Sequence, residues 1–212
     1  MATTKQASTG LQKLMEHQVA DIYYAEKQIL KALPKMAKAA YTAELREAFT
    51  EHAEETQGQI ERLEQVFEAL GLPAKGKKCP AIDGILEEGK EMMEEFADDE
   101  ALDAALVAAA QKVEHYEIAT YGNLAAWATQ LGHDDVASLL SETLEEEKGA
   151  DEKLTHICET LINTESEEEG EMAEVEEGND RASKASGSKT ASRGAAKASS
   201  NGSAKRTGPN KR

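Results

Sequence analysis

The stretch from Leu102 to Leu131 contains no proline, and its apolar residues recur with the period of an α-helix. One face of this predicted helix carries, in order, Val107, Ala110, Glu114, Glu117, Tyr121, Leu124, Ala128 and Leu131. Glu114 and Glu117 therefore lie one turn apart on a face that is otherwise largely apolar. A carboxylate that is removed from water is strongly destabilising unless a cation or a proton compensates its charge. The chain must fold so that other segments supply that compensation.

The composition favours helices and restricts the classes of function. Aromatic residues make up only 4% of the chain, prolines number four, and the net charge is −17. This charge disfavours binding of the folded body to nucleic acid or to an anionic membrane. No apolar run is long enough for a membrane span, and no apolar segment marks a secretory signal. Cys79 and Cys158 form neither a metal-binding pair nor a disulfide framework, so we expect reduced thiols in a cytoplasmic protein.

Hydrophobic periodicity predicts an all-α chain with four long helices and one short helix. Pro34 is expected to kink the first helix or to separate its last turn. The five predicted helices run over residues 10–40, 43–70, 83–97, 102–131 and 135–162. A short crossover helix between the second and third long helices is typical of ferritin-like four-helix bundles. We therefore predict a flexible segment over residues 1–9 and a ferritin-like helical bundle over residues 10–162.

The composition changes sharply after the predicted bundle. Residues 164–180 contain nine acidic residues and no basic residue, whereas residues 181–212 contain nine basic residues and no acidic one. Ser, Ala and Gly fill much of the remainder, which has too few apolar side chains to form a core. We predict that residues 163–212 form a disordered tail, acidic and then basic. The basic block is expected to contact nucleic acid or an acidic neighbour, or to associate with the acidic block itself.

Each long helix places at least one potential metal ligand on its predicted buried face, near the middle of the helix. These seven candidates are Glu26, His52, Glu55, Glu114, Glu117, Glu147 and Asp151. Carboxylate and imidazole ligands suit iron and manganese, and the core of a four-helix bundle can hold two such ions. In a chain with 31% charged residues, some glutamates also reach a helix face by chance and lie at a solvated rim. Chance does not readily place such residues at the same depth on four helices, so the pattern favours a di-metal site.

Several motifs in the same order resemble the YciE/YciF family of ferritin-like bacterial stress proteins over about residues 10–162. They are Leu14 through Leu33, His52-Ala53-Glu54-Glu55-Thr56 followed by Gln59-Ile60-Glu61-Arg62, Ala110 through Glu117, and Leu144 through Lys148. The resemblance implies a four-helix bundle, a homodimer, a di-iron centre, and a ferroxidase or peroxide-related role. The string from Glu114 to Glu117 is also similar to the third helix of rubrerythrins, in which both glutamates bind metal.

The chain departs from the usual ligand pattern of di-iron bundles. Such bundles usually carry Glu-x-x-His on the second and fourth helices, but Gly58 and Ala150 stand three residues after Glu55 and Glu147. The six candidate carboxylates also carry two more negative charges than a pair of divalent ions neutralises. Either a carboxylic acid stays protonated, or one or two of the seven candidates are not ligands. The missing histidines leave the choice between iron and manganese open.

The first functional hypothesis is a cytoplasmic di-iron oxidoreductase that oxidises ferrous iron with dioxygen or peroxide, a ferroxidase of the stress response. In this hypothesis Glu114 or Glu55 bridges the two ions as a catalytic ligand, while Glu26, Glu117 and Glu147 hold them terminally. A second hypothesis is a non-enzymatic helical stress or interaction module with a vestigial site, whose buried acids are protonated or hydrogen-bonded. A third is manganese-dependent disproportionation of peroxide.

Overall fold

The computed structural model describes the backbone of residues 10–186 and the side chains of residues 10–160. Over the described backbone the chain is helical, with no strand. Its helices are α1 (Gly10–Ala39), α2 (Ala43–Ala69), α3 (Pro80–Glu95), α4 (Leu102–Leu131) and α5 (Asp134–Ser186). The predicted all-α fold, with a short helix between the second and third long helices, is confirmed.

Local chemistry sets the helix ends. The side chain of Thr42 accepts a hydrogen bond from the backbone N–H of Leu45 and so caps the start of α2. Gly132 follows α4 with a φ of 77°, a left-handed conformation that glycine adopts without steric penalty. α3 begins at Pro80, three residues before the predicted start, because a proline at the first helical position lacks only an N–H that would have no intrahelical partner.

Pro34 does not divide the first helix. α1 continues through Pro34 to Ala39, so the expected separation of its last turn is wrong. A proline inside a helix removes one backbone hydrogen bond and crowds the preceding turn. Here Leu33, Met36 and Ala37 are buried on both sides of the proline, and their burial holds the last turn against the core.

The backbone of α5 continues to Ser186, past the predicted helix end at Ile162. Residues 163–186 contain no proline and are rich in glutamate, a strong helix former, so their local propensity favours a helix. The prediction relied on apolar periodicity, which this segment lacks. The contacts divide the chain into two units, residues 1–166 and residues 167–212. The predicted flexible residues 1–9 and the basic block from residue 187 onward lie outside the described residues.

The four long helices meet around one core. α1 packs against α2, α3 and α4, and α3 packs against α4. α5 is joined to α2 by the ion pair between Arg62 and Glu146, and to α4 by the hydrogen bond from Gln111 to Asp151. No helix in the described part of the chain has the length and the apolar character needed to cross a membrane. This packing brings the middles of the long helices, and their polar residues, to the same depth.

Candidate metal centre

Five of the seven candidate ligands are buried in the middle of the bundle. Their exposed fractions are 0% for Glu26, 7% for His52, 2% for Glu114, 1% for Glu117 and 0% for Glu147. A spacing of three residues places two side chains on the same face of a helix, so α4 alone contributes two of these carboxylates. The other three come from α1, α2 and α5. Each long helix therefore contributes a buried, ionisable side chain to the core.

Four of these residues form a cluster, which we call the four-residue cluster. It consists of His52, Glu114, Glu117 and Glu147, whose potential ligand atoms all lie within 4.8 Å of one another. Carboxylate oxygens and an imidazole nitrogen are the ligands that iron and manganese bind in proteins. The cluster could therefore hold a metal ion.

His52 is oriented by the groups on either side of its ring. Its Nε2 lies 3.4 Å from Glu114 Oε1 and 3.9 Å from Glu147 Oε2, while its Nδ1 lies 3.3 Å from Glu55 Oε2. A neutral His52 that donates its Nδ1–H to Glu55 presents the lone pair of Nε2 to the cluster. Burial opposes a charge on this ring, but the carboxylates of Glu114, Glu55 and Glu26 together outweigh it and raise the pKa of His52.

Glu26 lies beside the cluster and is fixed by a tyrosine. The hydroxyl of Tyr121, which is itself fully buried, donates a hydrogen bond to Glu26 Oε1. The Glu26 carboxyl also interacts electrostatically with that of Glu117, a member of the cluster. The sequence placed Tyr121 on the same face of α4 as Glu117, one turn further on, but it did not predict this contact with α1.

Several oxygens of the buried carboxylates receive no hydrogen bond from the protein. Among the described residues, one oxygen of Glu26, one of Glu114 and both oxygens of Glu117 and of Glu147 are buried without a hydrogen-bond partner. A buried acceptor without a partner destabilises a fold by about 1–3 kcal/mol, and more when it is charged. Six such oxygens in one place are explained if cations bind there, since a cation replaces the missing donors. The residues present therefore fit a divalent metal.

The crowding of these buried carboxylates also changes their pKa values. Burial raises the pKa of Glu26 to about 7, against partial opposition from its hydrogen bond with Tyr121. Burial, and after it the charges of neighbouring glutamates, raises the pKa of Glu117 and of Glu147 well above the usual range for a carboxylic acid. Burial also raises the pKa of Glu114, although the charge of His52 opposes this change. Without a cation, protons are the remaining way to neutralise the cluster.

The raised pKa values of the buried glutamates predict how the stability of the metal-free protein depends on pH. A carboxyl group whose pKa is higher in the folded state than in the unfolded state stabilises the fold at low pH, and this contribution is lost as pH rises through the folded-state pKa. The raised pKa of His52 acts in the same direction. We expect the free energy of unfolding of the chelator-treated protein to fall between pH 5 and pH 8, by on the order of 3 kcal/mol from Glu26 alone.

Urea denaturation at several pH values would measure this dependence. Glu26→Gln is the matched control, because an amide does not titrate, and it should flatten part of the curve. A free energy of unfolding that rises from pH 5 to pH 8 would contradict the assignment of buried, unpaired carboxyls.

Comparison with known proteins decides the family. The family model described as "Domain of unknown function (DUF892)" matches residues 10–167. The chain belongs to the DUF892 family. It is 51% identical over 152 residues to protein YciF of Escherichia coli strain K12, covering 71% of this chain and 92% of that protein. The expected resemblance to the YciE/YciF family is therefore confirmed.

Solved structures support the fold of this DUF892 member. The crystal structure of the Escherichia coli stress protein YciF matches with a TM-score of 0.70 and 49% identity, covering 74% of this chain and 99% of that one. YcfI from Rhodopseudomonas palustris matches with a TM-score of 0.68 and 53% identity, covering 72% of this chain and 97% of that one. The ferritin-like bundle predicted from the sequence is thus found in close relatives.

Two candidate ligands of this DUF892 member lie outside the four-residue cluster. The side chain of Glu55 is 53% exposed and contacts the cluster only through His52. The carboxylate of Asp151 lies 3.3 Å from Gln111 Nε2 and 3.3 Å from His115 Nε2, and its side chain is 23% exposed. Both residues lie on the predicted helix faces, but neighbouring side chains turn them toward the rim of the bundle. Glu26, by contrast, is fully buried beside the cluster.

One supporting contact was not predicted from the sequence. Arg62 donates to both carboxylate oxygens of Glu146 at 2.8 Å and to the hydroxyl of Thr143 at 2.8 Å. Because Glu146 precedes Glu147, this bidentate pair fixes α5 next to the cluster. Arg62 belongs to the second-helix motif shared with the YciE/YciF family, and this motif was the sequence feature that could have pointed to it. Its partner could not be identified because α2 and α5 are far apart in sequence.

Proposed function

We propose that this protein is a ferritin-like di-iron stress protein that oxidises ferrous iron with dioxygen or peroxide. The observation that carries the proposal is the group of six buried carboxylate oxygens without hydrogen-bond partners, gathered around His52. Membership of the DUF892 family and the similarity to YciF, which is described as a stress protein, support a role in a stress response. The activity itself is inferred from the chemistry of the ligand set.

Charge balance supports two ions rather than one. Four glutamates are buried, Glu26, Glu114, Glu117 and Glu147, and together they carry the charge that two divalent cations neutralise. The seven candidates from the sequence left two negative charges over. That excess disappears because Glu55 and Asp151 lie near the rim, where water and neighbouring polar groups compensate their charges. A single divalent ion would leave two buried charges to be neutralised by protons.

The protein would supply ligands, orientation and exclusion of water. His52, Glu114, Glu117 and Glu147 would hold the ions, with Glu26 completing the set from α1. When bound, iron would supply the electrons that reduce dioxygen or peroxide. Glu55 keeps His52 in the tautomer that offers Nε2, and the hydroxyl of Tyr121 holds one oxygen of Glu26 in place. Binding must also displace the protons from the glutamates whose pKa is raised, so the affinity for metal should fall at acidic pH.

The proposal is tested by adding ferrous iron to the chelator-treated protein without oxygen and then mixing it with dioxygen or peroxide. We expect two ions per chain by elemental analysis and an increase in ferric absorption in the near ultraviolet, faster than that of the same iron in buffer. Ferrous iron with serum albumin controls for nonspecific protein. Failure to retain a stoichiometric amount of metal would refute the proposal.

The same preparation distinguishes the other hypotheses. Release of dioxygen from peroxide by protein loaded with manganese alone would favour peroxide disproportionation. A non-enzymatic module with protonated acids would show the same melting temperature with and without a chelator, since a ligand stabilises a protein only if it binds the folded state.

A further inference from the structure

A cavity of about 220 Å³ lies between α2 and α5, directly beside the four-residue cluster. We call it the α2–α5 cavity. Its inner wall includes the buried side chains of His52 and Glu114, whereas its outer wall includes the exposed residues Glu51, Glu55, Glu145 and Lys153. The cavity therefore connects bulk solvent with the ligand atoms of the cluster.

Small residues of α5 create this space. Gly149 and Ala150 line the cavity two and three residues after Glu147, and Ala150 occupies the position where the sequence lacks the histidine usual for such bundles. By the same measure of volume, one water molecule needs about 10–15 Å³. The α2–α5 cavity therefore has room for a cation together with several water molecules.

The ligand atoms at the inner end are available to such a cation. Glu114 is 2% exposed, and its Oε2 is buried without a hydrogen-bond partner. Nε2 of His52 lies 3.4 Å from the other oxygen of Glu114. A larger cavity of about 470 Å³ between α1 and α3 is lined by Lys31, Lys35 and Lys90 and by no member of the cluster, so it offers a cation no comparable path.

The charges at the outer end favour cations, with one exception. Glu51, Glu55 and Glu145 stand around the opening, and a cleft lined by charges of one sign raises the local concentration of counter-ions. Lys153 is the exposed base among the lining residues, and it forms an ion pair with Glu51 across the opening.

We propose that the α2–α5 cavity is the route by which hydrated divalent cations enter the metal centre, and that Lys153 restricts this entry. The inference rests on the proposed metal centre but concerns its access rather than its activity. It assigns a role to the two small residues of α5, which leave the route open.

The first test narrows the route. Chelator-treated protein would be mixed with cobalt(II) chloride in a stopped-flow instrument, and the visible absorption of bound cobalt would report the rate of uptake. Ala150→Phe should slow uptake by about tenfold or more, because its ring fills much of the cavity, while elemental analysis at equilibrium finds the same stoichiometry. Ala126→Phe, which adds the same ring at an exposed position of α4, should leave the rate unchanged.

The second test changes charge at exposed positions, where folding is not at risk. Lys153→Gln should speed uptake several-fold, and Glu145→Lys should slow it several-fold, with both effects weakening at high salt. Glu68→Lys makes the same charge change on α2 about 24 Å from His52 along the helix, and it should have little effect.

The outcomes separate this inference from the proposed function. If the wild-type chain binds no cobalt or iron in stoichiometric amount, the metal centre fails and the route fails with it. If the wild type binds metal but uptake is as fast in Ala150→Phe as in Ala126→Phe, the metal enters elsewhere and only the route is refuted. Equal rates in Lys153→Gln, Glu145→Lys and Glu68→Lys would refute the role assigned to charge at the opening.

Discussion

Replacement of Glu147 by alanine is expected to lower the affinity for divalent metal by more than about 100-fold, so that no stoichiometric metal survives gel filtration. Glu147 is completely buried, and neither of its carboxylate oxygens has a hydrogen-bond partner. It belongs to the four-residue cluster, in which the potential ligand atoms lie within 4.8 Å of one another. Loss of a residue that only orients a ligand typically lowers affinity 10–100-fold, so loss of a ligand should have a larger effect.

The matched control is Glu145→Ala. Glu145 lies two residues earlier on α5, and its side chain is 72% exposed and pairs with Lys148 at the surface. Its removal should leave the equilibrium affinity and the stoichiometry nearly unchanged, because an exposed ion pair contributes little to the fold. Helical circular dichroism would confirm that both variants fold. Full metal binding by Glu147→Ala, measured by elemental analysis and titration calorimetry, would exclude Glu147 as a ligand.

The same measurement tests the two candidates for the bridging ligand. Glu114→Ala should resemble Glu147→Ala, because Glu114 is buried within the cluster. Glu55→Ala should cause a smaller loss, of about 10–100-fold, because Glu55 acts on the cluster through His52 Nδ1. An equally large loss in both variants would return Glu55 to the ligand set that the sequence suggested.

The sequence predicted the fold well because the information needed for it is local. Apolar residues with helical period, Gly71 and Gly132 after two of the helices, and a short segment between two pairs of long ones define a ferritin-like bundle. The behaviour of the chain at Pro34 and at the end of α5 is also local in origin. α1 continues through Pro34 because residues on both sides of it are buried, and α5 extends past Ile162 because glutamate favours a helix without needing a core.

The sequence was less able to separate buried acids from acids at the rim. Glu55 and Asp151 follow His52 and Glu147 by three and four residues, so helical geometry places each beside its buried neighbour on nearly the same face. Which one points inward depends on contacts with other helices. Gln111 and His115 of α4 hold Asp151 at the rim, and periodicity within α5 contains no information about them. The α2–α5 cavity could not be predicted for the same reason.

Glu117→Gln should have opposite effects on the metal-free and the metal-loaded protein. Both oxygens of Glu117 are buried without a hydrogen-bond partner, and burial together with the charges of Glu147 and Glu26 raises its pKa well above the usual range. Without metal, an amide of the same shape removes one of four crowded acids. We expect the free energy of unfolding of the metal-free variant at pH 8 to exceed that of the wild type by about 1–3 kcal/mol.

With metal the order should reverse. A ligand at 1,000 times its dissociation constant stabilises a folded protein by about 4.1 kcal/mol, and the wild type should gain about this amount, which exceeds the advantage of the metal-free variant. The variant should gain much less, because a neutral amide is a poor ligand and leaves one negative charge fewer for the ions. Urea denaturation of both proteins, with chelator and with saturating ferrous iron under nitrogen, would show whether the order of their stabilities reverses.

The reversal separates a metal centre from a purely structural acidic core. If the buried glutamates were held only by protons and hydrogen bonds, Glu117→Gln would change stability equally with and without metal. Repeating the metal-free measurement at pH 5 provides the internal control, because the raised pKa keeps Glu117 protonated there and the difference between the two proteins should shrink. A metal-free variant less stable than the wild type at pH 8 would mean that the carboxylate of Glu117 is compensated without a metal.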